Sequence, residues 1–528
     1  MAESSEHDRR LAFGSDDPAE AFAFGLAAQR GYDLAAAAQA FHVAFAGGLP
    51  DAGVPLADCT GELGHLQEAV ALARGAVDTM VRAHGPGHPK TITAKRTLIH
   101  WMNEAGHLRR AAVMCAEFLS ESIDSLGPDH AETLAMRYES GLITGMLGDP
   151  RRAAEVLAAV VSGRTRTLGA AHPETLLARS VHARWIGESG RPRDAMELYR
   201  DLERDRALAV GADDPQTLHT RARLAYWTSL AGDPARALEL YRKLLADRAR
   251  VLGPDHQHTL HTRSRVALWT AINGDPRSAA DQFRSVIADR IRVLGRDHPA
   301  TLISRLFHAR CQGELGDVAS AVAESELLKR DYVRVLGPDH PDTFAARAEH
   351  ARWVGASGLP DQAADLLGAL ALVSGHVLGA AHPLTLAFRN NAAYWLDEAG
   401  QDAVVVFETL AADCGDALGE DHPDTLLVRL NLGDCLGNTG RAAEAATLLE
   451  EIVDRCRRVL GPEHPDTQAG RAVLAYWRGA RRSRPEAPSF PPQPAPRVAV
   501  APVTARPPRA VVDGLGLEPH DLRMRKTR

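Results

Sequence analysis

The chain has 528 residues, a formal net charge of −7 and only 5% aromatic residues. Single hydrophobic cores stop growing near about 250 to 300 residues, so the length excludes one compact core and favours a modular chain. The low aromatic content predicts packing through small side chains. The six cysteines form no C-x-x-C pair, which argues against a disulfide framework and against a zinc knuckle.

The first residues of the chain are charged and polar, and no apolar run of about 18 residues follows. We therefore expect residues 1–15 to be a disordered N-terminus. Neither export nor a membrane span is indicated, so we expect a cytoplasmic protein.

A segment related to L-G-P-D-H-P-D-T-L occurs ten times between residues 85 and 467. A fixed period of this length predicts a solenoid of stacked repeats. Its threonines follow one another at intervals of 42 residues, apart from one interval of 40: Thr91, Thr133, Thr175, Thr217, Thr259, Thr301, Thr343, Thr385, Thr425 and Thr467.

Each unit is predicted to contain two helices. In the unit that begins at Thr217, residues 218–230 contain no Gly or Pro, Gly232-Asp233-Pro234 follows, and residues 235–251 are again free of both. Gly suits the end of a helix, Asp an N-cap, and Pro the first turn of the next helix. The pattern therefore predicts an antiparallel helix pair.

Small residues recur at fixed places in the unit. With the repeat threonine as position zero, position 8 is Gly or Ala in all units but the first, and position 20 is mostly Ala. Facing small residues let two helix axes approach to the short end of the usual packing range of about 8 to 10 Å. The upstream residues Ala57, Gly64 and Ala69 repeat the pattern weakly, as do Gly31 and Ala36.

This pattern resembles the tetratricopeptide repeat, with a small residue at position 8, Gly at 15, Ala at 20 and an aromatic residue at 24. The 42-residue length and the L-G-x-D-H-P-x-T-L connector resemble the kinesin-light-chain-like type of this repeat, as found in bacteria. The resemblance implies an all-α, right-handed superhelical solenoid of stacked helix-turn-helix repeats over residues 16–480, with about 11–12 units of which 16–90 are degenerate. It implies a scaffold for protein partners, while leaving the partner open.

Histidine recurs in the connectors, but the copies cannot converge on one ion. Each unit adds two helices, so equivalent atoms should lie about 15 to 20 Å apart, whereas zinc ligands must lie about 2.1 Å from the metal. We predict that the Asp-His-Pro segments start helices. The histidines are His88, His130, His172, His256, His298, His340, His382, His422 and His464.

Position 4 is cationic in all ten units. We interpret this cation column as a structural ladder whose partners are Asp residues late in the preceding helix, such as Asp205 and Asp247. The alternative is a groove that binds an acidic peptide or phosphate. The central members of the column are Arg221, Arg263, Arg305, Arg347 and Arg389.

Contact positions need not repeat, so variation between units indicates where a partner binds. In this repeat family the inner face is lined chiefly from the first helix, including positions 2, 5, 9, 12 and 13. Position 9 varies, and its Arg and Tyr side chains are common interface anchors; the alternative is a solvated face. All seven tryptophans stand at position 10, which predicts packing; the alternative is an aromatic stripe that binds a partner. The candidate groove contacts are Arg184, Tyr226, Arg310, Arg352 and Tyr394.

Residues 481–528 are rich in Pro and Arg and predict a flexible basic tail. No phosphate-binding loop, nucleophile elbow or metalloprotease motif occurs, so we expect no catalytic residue, metal or cofactor. The sequence thus predicts an interaction scaffold that binds a peptide or protein segment in its concave groove, in a regulatory or signalling complex. The alternative is a nucleic-acid-associated regulator that acts through the tail.

Overall fold

The computed structural model describes residues 17–31 and 33–482. This part of the chain consists of α-helices joined by short loops, with one 3-10 helix and, among the described residues, no β-strand. The helices follow one another as stacked pairs, and the predicted all-α repeat solenoid is confirmed. The chain divides into two compact units, residues 1–186 and residues 187–528, which are taken separately below.

The described residues of the first unit contain eight α-helices and most of a ninth. In chain order the elements are α1 (Pro18–Arg30), α2 (Leu34–Ala46), the 3-10 helix (Pro50–Ala52), α3 (Gly53–Glu62), α4 (Leu66–His84), α5 (Pro89–Glu104), α6 (Leu108–Leu126), α7 (Ala131–Met146), α8 (Pro150–Leu168) and α9 (Pro173–Glu188), the last of which continues into the second unit.

The described residues of the second unit continue the same alternation, and the last described element is a single helix. Its elements are α10 (Pro192–Ala209), α11 (Pro215–Leu230), α12 (Pro234–Leu252), α13 (Gln257–Ile272), α14 (Pro276–Leu294), α15 (Pro299–Glu314), α16 (Val318–Leu336), α17 (Pro341–Ala356), α18 (Pro360–Val377), α19 (Pro383–Glu398), α20 (Val404–Leu418), α21 (Pro423–Asn438), α22 (Ala442–Val459) and α23 (Pro465–Arg482).

The helix ends follow from the residues predicted to form them. Asp233 caps α12 by accepting a hydrogen bond from the backbone N–H of Arg236 at 2.9 Å. Gly232 (φ 100°) and Gly253 (φ 91°) lie in the left-handed region after α11 and α12, where a Cβ would be strained. These two glycines are 21 residues apart. Both turns of a unit therefore contain a glycine with positive φ, and the 42-residue period consists of two equal steps of 21 residues.

The repeat tryptophans pack into the preceding repeat. Six of the seven lie against a glycine near the end of the preceding first helix, so that Trp395 of α19 covers Gly355 of α17. A Cβ built on Gly355 would lie 2.7 Å from three atoms of the indole ring, which is too close for real side chains. The same contact occurs in five further pairs: Gly61 with Trp101, Gly145 with Trp185, Gly187 with Trp227, Gly313 with Trp353 and Gly437 with Trp477.

The glycine is absent where the next repeat lacks the tryptophan. Position 12 is Ala271 in the repeat that precedes Cys311, and Asp397 in the repeat that precedes Cys435. Of the seven tryptophans, Trp269 alone follows a repeat without this glycine, because position 12 of that repeat is Ser229. The residue at position 12 therefore varies with the size of the position-10 side chain of the next repeat. A regular packing contact joins successive repeats.

Two predicted segments fall largely or wholly outside the described residues. These are the disordered N-terminus at residues 1–15 and the basic tail at residues 481–528, of which only residues 481 and 482 are described, as the end of α23. The predicted domain boundaries and the nucleic-acid alternative therefore stay predictions. Within the described chain no helix is both long and apolar enough to cross a membrane.

We predict that Gly355→Ala lowers the free energy of unfolding by about 1 to 3 kcal/mol, because the added methyl group overpacks the indole contact. Urea unfolding measures the loss. The matched control is Gly368→Ala in the interior of α18, where a Cβ would meet nothing within 4 Å. That change should be neutral or stabilising by about 0.5 to 1 kcal/mol.

Combining Gly355→Ala with Trp395→Cys reproduces the natural pair Ala271 and Cys311. The double variant should lose less stability than the sum of the two single variants, because the smaller thiol leaves room for the methyl group. Strictly additive losses would contradict the proposed packing contact.

Candidate functional site

The connector histidines cap helices. In each of the nine repeats that has one, the histidine Nδ1 accepts a hydrogen bond from the backbone N–H two residues later; for His382 the donor is Leu384 at 3.2 Å. Asp214 takes the same place before α11 and accepts from Gln216. Within the described residues no group of three or more His, Cys, Asp and Glu side chains could hold a metal ion.

The cation column forms ion pairs with the second helix of its own repeat. Arg263 lies 2.6 Å from Asp289 and Arg389 lies 2.6 Å from Asp413. Arg305 Nη1 lies 3.1 Å from Asp331. The predicted direction of these pairs was wrong, because each aspartate is in the following helix and not in the preceding one. The reason is geometric, since the second helix folds back along the first and its last turns return to position 4.

A carboxylate of the preceding helix contributes at Arg221. Arg221 Nη1 lies 2.9 Å from Asp247 in α12, and its Nε lies 2.8 Å from Glu203 in α10. Arg347 differs, because the residue at the counterpart position is Val373. At Arg221, Arg263 and Arg305 the partner is the aspartate 26 places later, whereas Asp413 follows Arg389 by 24 places because that repeat is two residues shorter.

A second set of ion pairs links neighbouring repeats on the exposed surface. Arg292 at the end of α14 lies 2.5 Å from Asp255 in the connector before α13 and 3.1 Å from Asp289. Hydrogen bonds from Arg263 and Arg292 hold the pKa of the Asp289 carboxyl below its ordinary value. Equivalent pairs join Arg250 with Asp213 and Arg334 with Asp297. The Asp of the Asp-His-Pro connector thus has an ion-pairing role that the sequence analysis missed.

The candidate groove residues at position 9 differ in exposure. Arg184, Arg352 and Tyr394 are partly exposed, whereas Tyr226 and Arg310 are buried, with 3% and 6% of their surface accessible. Several lie against the tryptophan that follows them: the guanidinium carbon of Arg352 is 4.5 Å from the Trp353 ring centre, and that of Arg184 is 4.9 Å from the Trp185 ring centre. Tyr226 and Tyr394 contact their tryptophans edge to face.

Arg310 and Arg352 converge on one buried carboxylate. Arg310 Nε donates to Glu349 Oε1 at 2.9 Å, and a second hydrogen bond runs from its Nη2 to Oε2. Arg352 Nη1 lies 3.3 Å from Glu349 Oε1, and the Trp353 indole donates to the same oxygen. Burial alone would raise the pKa of Glu349, but the two arginines outweigh it and lower that pKa. This cluster holds two predicted groove residues in fixed positions.

A buried arginine column late in the second helices was not predicted. Arg206 and Arg248 each bond the backbone carbonyl ten residues later and a threonine hydroxyl fourteen residues later; for Arg248 these are His258 at 3.1 Å and Thr262 at 2.9 Å. Arg290 makes the same contacts with Ala300 and Ser304. The sequence does contain a signal for this column. In three successive repeats the second helix has this Arg, and the first helix that follows it has Thr or Ser at position 3.

We predict that Arg263→Met destabilises the protein by about 1 kcal/mol, because Asp289 loses its partly buried partner. Arg305→Met should behave alike. Arg347→Met is the matched control, since its counterpart is Val373, and it should cost less. Urea unfolding of the three variants measures this, and an equal loss at Arg347 would contradict the ladder.

We also predict a pH dependence from the histidine caps. Burial lowers the pKa of His382 below the ordinary 6.5, so the neutral ring is favoured in the folded chain and its Nδ1 can accept the capping bond. This stabilisation is complete above pH 6.5 and is lost as the pH falls through the lower folded pKa. His382→Asn keeps a capping oxygen without titrating. The variant should therefore lose less unfolding free energy than the parent chain on acidification, and identical pH profiles would contradict this role.

Comparisons with known proteins identify the repeat. A family model described as Tetratricopeptide repeat matches residues 60–90, 217–258, 259–300 and 425–466. No curated protein matches the chain. The similar solved structures include a putative kinesin light chain from Podosopora anserina with nearly identical TPR-like repeats, at 23% identity, covering 39% of this chain and 98% of that one, with a TM-score of 0.37.

Two further similar structures are BtubC (BKLC) from P. vanneervenii and yeast Tom70. BtubC is 18% identical, covers 45% of this chain and 91% of that chain, and has a TM-score of 0.37. Tom70 is 11% identical, covers 89% and 97%, and has a TM-score of 0.40. These scores are too low to carry a functional conclusion. The four matched segments show that the chain contains tetratricopeptide repeats, in keeping with its stacked helix pairs.

Proposed function

We propose that the chain is a non-catalytic interaction scaffold whose inner face binds a peptide or an extended protein segment in a regulatory or signalling complex. Stacked helical repeats form extended binding surfaces by their geometry. The proposal is supported chiefly by the position-9 side chains, several of which are held against the repeat tryptophans, as Arg352 is against Trp353 and Tyr394 against Trp395.

A side chain that is held before binding loses less conformational entropy when a partner arrives. Ordering a flexible interface side chain costs about 0.5 to 1.5 kcal/mol. The indole rings are buried and fixed by the contact with the preceding helix, so they fix in turn the Arg or Tyr that packs on them. This favours Arg and Tyr at position 9 as preformed anchors.

The five candidate contacts are expected to contribute in two ways. Arg184, Arg352 and Tyr394 are partly exposed and suit direct contact with a partner. Tyr226 and Arg310 are buried, and Arg310 is engaged with Glu349. For these two we propose a positioning role, in which they support the neighbouring side chains.

The experiment is selection of a random peptide library displayed on phage against the full chain. Peptides that bind should bind at least about tenfold more weakly to a triple variant with Arg184, Arg352 and Tyr394 replaced by alanine, a loss that corresponds to about 1.4 kcal/mol. Fluorescence anisotropy of the selected peptides measures the affinities.

A matched control removes charge from the outer surface. Arg284 and Arg330 lie on second helices, with side chains 67% and 71% exposed. A double alanine variant at these positions should bind the selected peptides as the parent chain does. Failure to select any peptide, or equal affinity for the triple variant, would overturn the proposed function.

A further inference from the structure

Two successive second helices, α18 and α20, expose an apolar patch. Both helices pack on α19. Gln401, just before α20, donates a hydrogen bond to Asp361 in the first turn of α18 at 2.9 Å, so the N-terminal ends of the two helices lie side by side. Leu372 of α18 and Val405 of α20 are 78% and 69% exposed. With these two, the outer apolar patch consists of Leu366, Val373, Val377 and Val406, which are all exposed.

The patch interrupts the ion pairs that cover the preceding repeats. Val373 replaces the aspartate that pairs with the cation column, as Asp331 does one repeat earlier. His376 replaces the arginine that pairs with the connector before the repeat. Leu372 stands where the preceding repeat has Arg330. Three positions that are charged in the preceding repeat therefore change together in α18, and clusters of exposed apolar side chains mark interaction sites.

The two helices are also acidic. Neither α18 nor α20 contains Lys or Arg, whereas each of the other second helices from α4 to α22 contains at least two. Asp365, Glu408 and Asp416 are exposed, and none of the three is in an ion pair with another described residue. A partner that fits this surface must therefore combine apolar side chains with positive charge.

This charge disfavours a second copy of the chain at the patch. In a two-fold contact the same surface faces itself, so the carboxylates of α18 and α20 would meet their own counterparts. Like charges brought together at an interface cost free energy. The occupant should therefore be a basic segment.

The chain itself contains a segment of this composition. Residues 497–512, which lie outside the described residues, read R-V-A-V-A-P-V-T-A-R-P-P-R-A-V-V. They include five valines and three arginines but no acidic residue. The arginines are Arg497, Arg506 and Arg509.

The segment begins close enough to reach the patch. Near the end of α23, Arg478 lies 2.8 Å from Glu450 of α22, and α22 is the next second helix after α20. Each step from one helix to the next is about 8 to 10 Å, so the four steps from α22 to α18 cover at most about 40 Å. The 15 residues 483–497 can span up to about 50 Å when extended.

We propose that residues 497–512 dock on the outer apolar patch of the same chain. In this contact the valines cover the patch, and the arginines face the carboxylates of Asp365, Glu408 and Asp416. The contact is on the outer surface, so it leaves the inner face free for a peptide and does not depend on the proposed function.

The test uses the full chain with the photo-reactive residue p-benzoylphenylalanine incorporated at Leu372. Irradiation followed by mass spectrometry should find crosslinks to residues 497–512. The matched control carries the same group at Leu208 of α10, which is 82% exposed, and should give no crosslink to this segment. Irradiation of a mixture of isotope-labelled and unlabelled chains separates the two sources, because a contact within one chain joins only peptides with the same label.

A charge variant tests the arginines. Replacing Arg497, Arg506 and Arg509 together by glutamate should lower the crosslink yield at Leu372 by about fivefold or more, because the carboxylates of the patch then repel the segment. The matched control replaces Arg523, Arg525 and Lys526 by glutamate, which changes the charge equally outside the segment, and should keep the yield.

Four results would overturn the proposed contact. These are crosslinks at Leu372 that join different copies of the chain, the absence of crosslinks to residues 497–512, an equal yield from Leu208, and an equal loss of yield in both charge variants. Because the readout does not involve a bound peptide, a failed peptide selection would count against the proposed function alone.

Discussion

The contact between a repeat tryptophan and the glycine of the preceding first helix is the constraint on which the stacking depends. The indole of Trp395, for example, occupies the place that a side chain on Gly355 would need. Such a contact fixes both the distance and the rotation between successive first helices, because a flat ring fits only one way against bare backbone. Where the ring is replaced by Cys311, the preceding repeat has Ala271 instead, so the space is filled by a different pair.

Charge is arranged around this apolar contact in two layers. Exposed pairs such as Arg292 with Asp255 join neighbouring repeats on the surface, where each contributes little because water screens it. Buried arginines such as Arg248 instead satisfy backbone carbonyls and hydroxyls between helices. In the second layer, Arg248 also lines a small cavity formed by residues of α11, α12 and α13.

Position 9 contributes to packing, and we propose that it also serves recognition. Glu349 gathers Arg310 and Arg352, so a position that varies between repeats can also be held by a buried ion-pair network. Removing one member of such a network leaves a buried charge without its partner, which is strongly destabilising. A binding assay on these variants is therefore meaningful only beside a stability measurement.

The sequence by itself determined the fold class, the 42-residue register and the helix ends, because these depend on local signals such as Gly232-Asp233-Pro234. It also placed the repeat tryptophans and the cation column. Only the tertiary structure decided which residues meet: that Arg263 pairs with Asp289 of the following helix, and that Arg248 and Arg265 face one cavity. The reason is that a repeated sequence pattern offers an equivalent partner in both the preceding and the following helix, whereas the packing of one helix on the next brings a single partner into contact.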